Sequence, residues 1–121
     1  MTQPFRKIAL GLSASSLPLL QRLLERRHVE KISLTPGAAL NLDITDKDLL
    51  IAPAVEVLND FWMPEGQLII IGSIGLVVRI ISPLISSKAN DPAVIVMDST
   101  AENIVPLLGS HKAGANQLAF E

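Results

Sequence analysis

The sequence predicts an α/β fold, a mostly parallel open sheet with helices on both faces. Three observations carry that expectation. Unbroken apolar runs of strand length, Leu68 to Ile71 and Ala93 to Met97, suit strands buried on both sides. Stretches with leucine, valine or isoleucine at helical spacing alternate with such runs. Glycine, serine and asparagine gather where one kind gives way to the other. The chain has 121 residues, 49% of them apolar, and a net charge of −2, which is material for one domain with a real core.

Phe5 to Leu12 is short and apolar and predicts a buried strand. Ser13-Ala14-Ser15-Ser16 follows, a cluster suited to turning and capping, with Ser16 as the N-cap and Pro18 in the first turn. Leu17, Leu20, Leu23 and Leu24 then predict an amphipathic helix over 16–28. Lys31 to Leu34 reads as a second strand, ended by Thr35-Pro36-Gly37. Ala38 to Pro53 gives no clear periodicity. Its Asp43, Asp46 and Asp48 lack the glycine and terminal glutamate of a calcium loop and read as surface carboxylates. Ala54 to Trp62 predicts a helix with Val55, Leu58 and Trp62 on one face, Trp62 as a packing anchor.

Gln67 to Ile71 is the strongest strand signal. Leu76 to Leu84 follows as a helix, entered through Ser73-Ile74-Gly75. Ala93 to Met97 is a strand ending at Asp98, Asn103 to Leu108 another, and Ala113 to Phe120 opens a helix. This order predicts a three-layer domain of Rossmann-like or flavodoxin-like kind over residues 1–121. The chain stops within the first turns of that last predicted helix, so the expectation is the front piece of a longer polypeptide.

Composition excludes several classes. An apolar chain of charge −2 fits neither disorder nor general nucleic-acid binding, which needs a basic face. Arg22, Glu25, Arg26, Arg27, Glu30 and Lys31 mix both signs and read as a solvated helix face. With no cysteine and two histidines, the chain holds no disulfide, thiolate metal site or histidine-rich metal site. Neither a metal nor another cofactor is expected. Absence of cysteine is compatible with a cytoplasmic location.

Two segments mimic membrane signals. Arg6-Lys7 precedes an apolar run of about five residues, shorter than the roughly 7–15 of a signal peptide. Gln67 to Ser86 has Arg79 as its only charge, but Gly72, Gly75 and Pro83 punctuate it as strand, turn and helix. No membrane segment is expected.

The polar residues that can do chemistry gather between Gly72 and Asn116. In open α/β sheets ligands bind beyond the carboxyl ends of the strands. Three predicted strand ends qualify: Gly72 to Gly75, Asp98 to Thr100, and Gly109 to Asn116. Glycines permit close backbone approach, and a following helix start offers free N–H groups to an anion. Gly109 and Gly114 have the spacing of a nucleotide phosphate loop, but Ala115 and Asn116 stand where its lysine and hydroxyl belong. Arg79 in an apolar helix reads, without a ligand, as a buried arginine paired with a carboxylate. Asp91 before Pro92 reads as a turn or cap. His111, flanked by glycines, is a better functional candidate than His28 on a charged helix. Ser110 is too close a neighbour of His111 for a nucleophile–base pair.

In order, Gly75, Val78, Arg79, Ile81, Pro83 and Leu84, then Lys88, Asp91, Pro92, Ala93, Val94, Val96 and Asp98, then Leu107, Leu108, His111, Gly114, Ala115 and Asn116 fit one pattern. It resembles the N-terminal domain of the cobalamin biosynthesis protein CbiG family, the cobalt-precorrin-5A hydrolases. The match covers about the last two-fifths of the chain with unbroken spacing. Departures are Gly109-Ser110 for the family's Ser-Gly, Ala113 for one of a glycine pair, and Ser99-Thr100-Ala101 without the glycine that follows the strand-end aspartate.

The resemblance implies a role in cobalamin biosynthesis on a cobalt-precorrin, a large flat apolar ring fringed with carboxylates. The family reaction opens a δ-lactone on that ring and releases acetaldehyde. Arg79, Lys88 and Lys112 would pair with carboxylates. Gly114, Ala115 and Asn116 would offer N–H groups at a helix start, with Gly75 and Asp91 also lining the substrate. His111 would act as general base toward water. Asn116 or a backbone N–H would steady the lactone oxyanion. Implied partners are the tetrapyrrole, further domains of a longer polypeptide such as a precorrin methyltransferase fusion, and a second copy in a homo-oligomer. Two alternatives stay open: a non-catalytic corrinoid-binding domain of a multifunctional protein, and a small α/β domain whose polar loops are turns and caps.

Overall fold

A computed structural model describes residues 6–40, 42 and 49–109. The sheet has six strands: β1 (Lys7–Gly11), β2 (Lys31–Leu34), β3 (Leu49–Ile51), β4 (Gln67–Ile71), β5 (Ala93–Met97) and β6 (Ile104–Leu108). Their spatial order is β3-β2-β1-β4-β5-β6. All neighbouring pairs are parallel except β5–β6, which is antiparallel, with a register irregularity between Val94 and Ile95. The α/β three-layer expectation thus describes the molecule.

Among the described residues, four α-helices connect the strands: α1 (Leu17–Glu25), α2 (Pro36–Ala39), α3 (Ala54–Phe61) and α4 (Ile74–Ile81). Alternation along each strand splits the core in two. Ala9, Ile69, Ile71, Ile95 and Met97 meet Leu19, Leu20 and Leu23 of α1 on one face. Ile8, Leu10, Leu68, Ile70, Val94 and Val96 meet Val57, Leu58 and Phe61 of α3 and Val77 and Ile81 of α4 on the other. Strands β4 and β5, covered on both sides, are buried at every position, which is why they read as unbroken apolar runs.

Several local expectations are corrected. The first helix ends at Glu25 rather than 28, and His28 lies in the following turn. Ser16 stands at the N-cap position of α1, but its hydroxyl turns back to the Ser13 carbonyl at 2.6 Å. Ser16 ends the 3-10 turn Ala14–Ser16, and a Cβ on Gly11 would lie 2.7 Å from its Cβ, so bare backbone at Gly11 admits this buried serine. On α3 the buried face is Val57, Leu58 and Phe61, while Val55 is 59% exposed. The third strand, β3, arises inside the stretch without periodicity. It has three residues, none fully buried, too few to show a period. Asp43, Asp46, Asp48 and the predicted 113–120 helix lie outside the described residues.

Ser33 in β2 is fully buried, and its hydroxyl has no hydrogen-bond partner among the described residues. It pairs across the ladders with Leu10 and Leu50. A buried unpaired hydroxyl is destabilising. Ser33→Ala is therefore expected to leave stability unchanged or raise it by up to about 1 kcal/mol in urea unfolding. A loss above about 1 kcal/mol would show that the hydroxyl has a partner.

Candidate functional site

The direction of β6 decides how the chemically interesting residues group. Residues 98–103 alone connect β5 to β6. A parallel return needs a crossover of about a dozen residues or more, so β6 must run antiparallel. Leu108 consequently lies opposite Val94, near the start of β5, and Gly109 leaves the sheet at its amino edge. The three predicted strand ends do not share one edge. Gly72 to Gly75 and Asp98 to Thr100 stand at the carboxyl edge; Gly109 stands at the other.

At the carboxyl edge, Ser73 caps α4, its Oγ accepting from the Leu76 N–H at 3.3 Å. A hollow of about 240 Å³ lies there, lined by Gly72, Ser73, Ile74, Val96, Met97, Asp98, Asn103 and Val105. Between β1 and β4, where strand order reverses, Leu12 packs against Gly72: its Cδ1 would lie 2.8 Å from a Cβ there. Asp98 is spent on its own turn. Its Oδ1 accepts from Thr100 Oγ1 and the N–H groups of Glu102 and Asn103, and its Oδ2 from Asn103 Nδ2 at 2.6 Å. The Asn103 amide, above all, holds the carboxyl below the ordinary aspartate range.

At the amino edge a larger hollow, about 530 Å³, is lined by Lys7, Pro64, Glu65, Gly66, Gln67, Lys88, Ala89 and Ala93. Lys88 sits in a turn closed by the Asn90 and Asp91 N–H groups, which both donate to the Ser87 carbonyl, at 3.2 and 2.9 Å. Asp91 anchors that turn. It is 5% exposed, and its carboxylate accepts from the Ser86 N–H at 3.0 and 3.1 Å, the Ser86 hydroxyl at 3.3 Å and Trp62 Nε1 at 3.2 Å. Asp91 thus fits its reading as a turn and cap residue. Trp62, half-buried after α3, is tied to the same carboxylate.

Arg79 is not buried. It stands on the outer face of α4, and among the described residues no ion pair engages it. The surroundings are apolar: Ile74, Leu76 and Val78 are each 44–47% exposed on the same helix. Gly75 lies one turn before Arg79 on this face, and a Cβ there would meet nothing within 4 Å. Position 82 begins a 3-10 turn, Ser82–Leu84, where Pro83 cannot continue the helix. The chain then passes exposed Ile85 to Lys88.

The structure therefore brings Lys88, Asp91 and the root of the 109–116 segment to one edge. It sets Gly75 and Arg79 together on α4. His111, Lys112, Gly114, Ala115 and Asn116 lie outside the described residues. The amino-edge grouping escaped sequence reading, although the short 98–103 connection contained the signal for it. Among the described residues no three histidine, cysteine, aspartate or glutamate side chains cluster to hold a metal. No described helix is long and apolar enough to cross a membrane.

Fold and edge chemistry together define an α/β domain of the doubly wound type, with cationic side chains at its amino edge and on one helix. The family model for cobalamin synthesis G, N-terminal, matches residues 56–121, and the chain belongs to that family. It is 50% identical over 54 residues to a cobalt-precorrin-5A hydrolase of Priestia megaterium and 45% identical over 51 to one of Salmonella typhimurium. These stretches cover 45% and 42% of this chain but only 14% of each relative. The crystal structure of a cobalamin biosynthesis protein G homologue from Sulfolobus solfataricus superposes with a TM-score of 0.65 at 17% identity. The likeness covers 94% of this chain and 32% of that one, and it shows the fold.

Proposed function

We propose that this domain serves cobalamin biosynthesis by binding a cobalt-precorrin at its amino edge and contributing to the opening of the precorrin's lactone. The observation that carries the reading is the antiparallel β6. Its direction ends the strand at the edge where Lys88 stands, so two motifs separated in sequence leave from the same edge of the sheet. Lys88 and Lys112 take ring carboxylates, and the N–H groups of Gly114, Ala115 and Asn116 take another. Asp91 acts as a positioning residue, holding the turn that presents Lys88.

His111 takes a proton from water, whose oxygen bonds to the lactone carbonyl carbon. The acyl–oxygen bond breaks, leaving a carboxylate and a hydroxyl. The hydroxyl then loses its proton as the carbon–carbon bond to the ring breaks. The bonding pair stays on the conjugated ring, which takes up a proton, and the two-carbon fragment departs as acetaldehyde. Asn116 steadies the oxyanion on the way. On this reading the domain contributes to the reaction as part of a longer polypeptide in the cytoplasm, in keeping with matches that span 14% of each relative. Binding without catalysis is the second reading, favoured by the 14% of each relative that the match spans.

The test is to incubate the chain with the cobalt-precorrin lactone, follow quenching of Trp62, the only tryptophan, and assay acetaldehyde. Binding with release supports a catalytic domain; binding alone supports the second reading. Absence of binding sinks both. Lys88→Gln is expected to weaken binding about 5-fold, the order of 1 kcal/mol for one exposed charge-assisted contact.

A further inference from the structure

We infer that the outer face of α4 is the platform on which the apolar body of the ring lies. This rests on the proposed binding of a cobalt-precorrin and adds the surface that receives it. A surface helix normally turns polar residues outward. Here Ile74, Leu76 and Val78 keep 44–47% of their surface in water although α4 already buries Val77 and Ile81 in the core. Ile85 continues the strip beyond the helix at 43%. Leu76 and Val78 flank the outward side of the helix, and exposed apolar side chains gathered on one short helix mark a candidate binding face.

Two features select the occupant. Arg79 stands on this face with no ion pair among the described residues, so the occupant is apolar and anionic. In a two-fold pairing of two copies across this helix centre the two arginines would approach each other, which disfavours self-association. Gly75 is the second feature. An added Cβ would touch nothing in the protein, so no internal packing requires glycine there. The Gly75 backbone is not left-handed either, so no turn requires glycine there. The open backbone at Gly75, flanked by Ile74, Leu76 and Val78, offers a flat approach for a planar ring. Arg79, one turn on, can take a peripheral carboxylate, bidentately. The strip leads through Ile85 toward Lys88, which links the platform to the amino edge.

The experiment titrates the 121-residue chain with a cobalt corrin polycarboxylate and with its neutral methyl ester, following Trp62 emission and the visible corrin bands. Gly75→Leu and Val78→Asp are expected to weaken both ligands at least 10-fold while each variant melts cooperatively, since both positions are exposed. Arg79→Gln is expected to weaken the polycarboxylate about 5-fold and leave the ester unchanged. Unchanged binding by Gly75→Leu and Val78→Asp, with Lys88→Gln still weakening it, would overturn the platform and leave the proposed function standing. No binding by the unaltered chain would remove the proposed function itself. A dimer in light scattering that Val78→Asp dissociates would assign the face to a second copy and overturn the inference.

Discussion

Asp91→Ala is expected to destabilise the domain by about 3 kcal/mol, a large part of the roughly 5–15 kcal/mol that a small domain possesses. The carboxylate is 5% exposed and gathers the Ser86 N–H, the Ser86 hydroxyl and the Trp62 indole N–H. Hydrogen bonds to a charged group contribute about 1.5–3 kcal/mol each, and donors stranded by truncation lose their partner without regaining full hydration. The three donors share one acceptor group, so the losses are not additive. Asp91→Asn keeps an acceptor oxygen and is expected to lose about half as much. Trp62→Phe removes one donor and leaves Ser86 paired, costing about 1 kcal/mol. Urea unfolding followed by far-ultraviolet circular dichroism measures all three. A loss below about 1 kcal/mol for Asp91→Ala would mean that the turn is held by other bonds.

The same substitution separates positioning from contact. If Asp91 acts by fixing the Ser86–Asp91 turn, Asp91→Asn weakens corrinoid binding only as far as Lys88 is displaced. The double variant Asp91→Asn, Lys88→Gln then binds no more weakly than Lys88→Gln alone. An additive loss would place the Asp91 carboxylate against the ligand.

Residues that build the sheet interior were readable because burial on both faces leaves a one-dimensional trace. Gln67–Ile71 and Ala93–Met97 read as strands with the bounds the structure gives them. β3 left no such trace: a three-residue edge strand owes its place to pairing with β2 more than to its own pattern. Helix faces were read less well. Val55 and Leu58 satisfy helical spacing, but α3 turns Val57, Leu58 and Phe61 into the core and leaves Val55 in water. The candidate site residues could be named from the sequence, but not where in the fold they group. Spacing alone put Gly72, Asp98 and Gly109 at equivalent strand ends, because a strand's direction is set by its connection. Arg79 shows the converse error. An arginine amid isoleucine and valine suggested burial, whereas α4 is apolar on the side facing water as well. What distinguishes the two cases is packing against the sheet, which composition does not carry.

His111→Ala, on the proposed reading, is expected to lower acetaldehyde release by about 10²–10⁴-fold, the usual yield of a general base. The assay belongs in whichever polypeptide opens the lactone, this chain or a longer one containing it. Corrinoid affinity should stay within about 2-fold of the unaltered protein, since the imidazole is assigned to water and not to a ring carboxylate. That split between turnover and affinity is the discriminating readout: a residue that merely packs would move both or neither. His111→Gln keeps a hydrogen-bonding side chain that cannot take up a proton at neutral pH, and it should be as slow as His111→Ala. Unaltered release in both variants would transfer the base to another group. Asn116→Ala is the companion. Loss of an oxyanion donor costs about 10²–10³-fold where the donor is aimed at developing charge. A much smaller effect would assign that stabilisation to the backbone N–H groups of 114–116. Two histidines exist in the chain, and His28 lies with Arg22, Arg26 and Met97 in a groove beside α1, on the opposite face of the sheet from α4. His28→Ala therefore provides the control that should leave release intact.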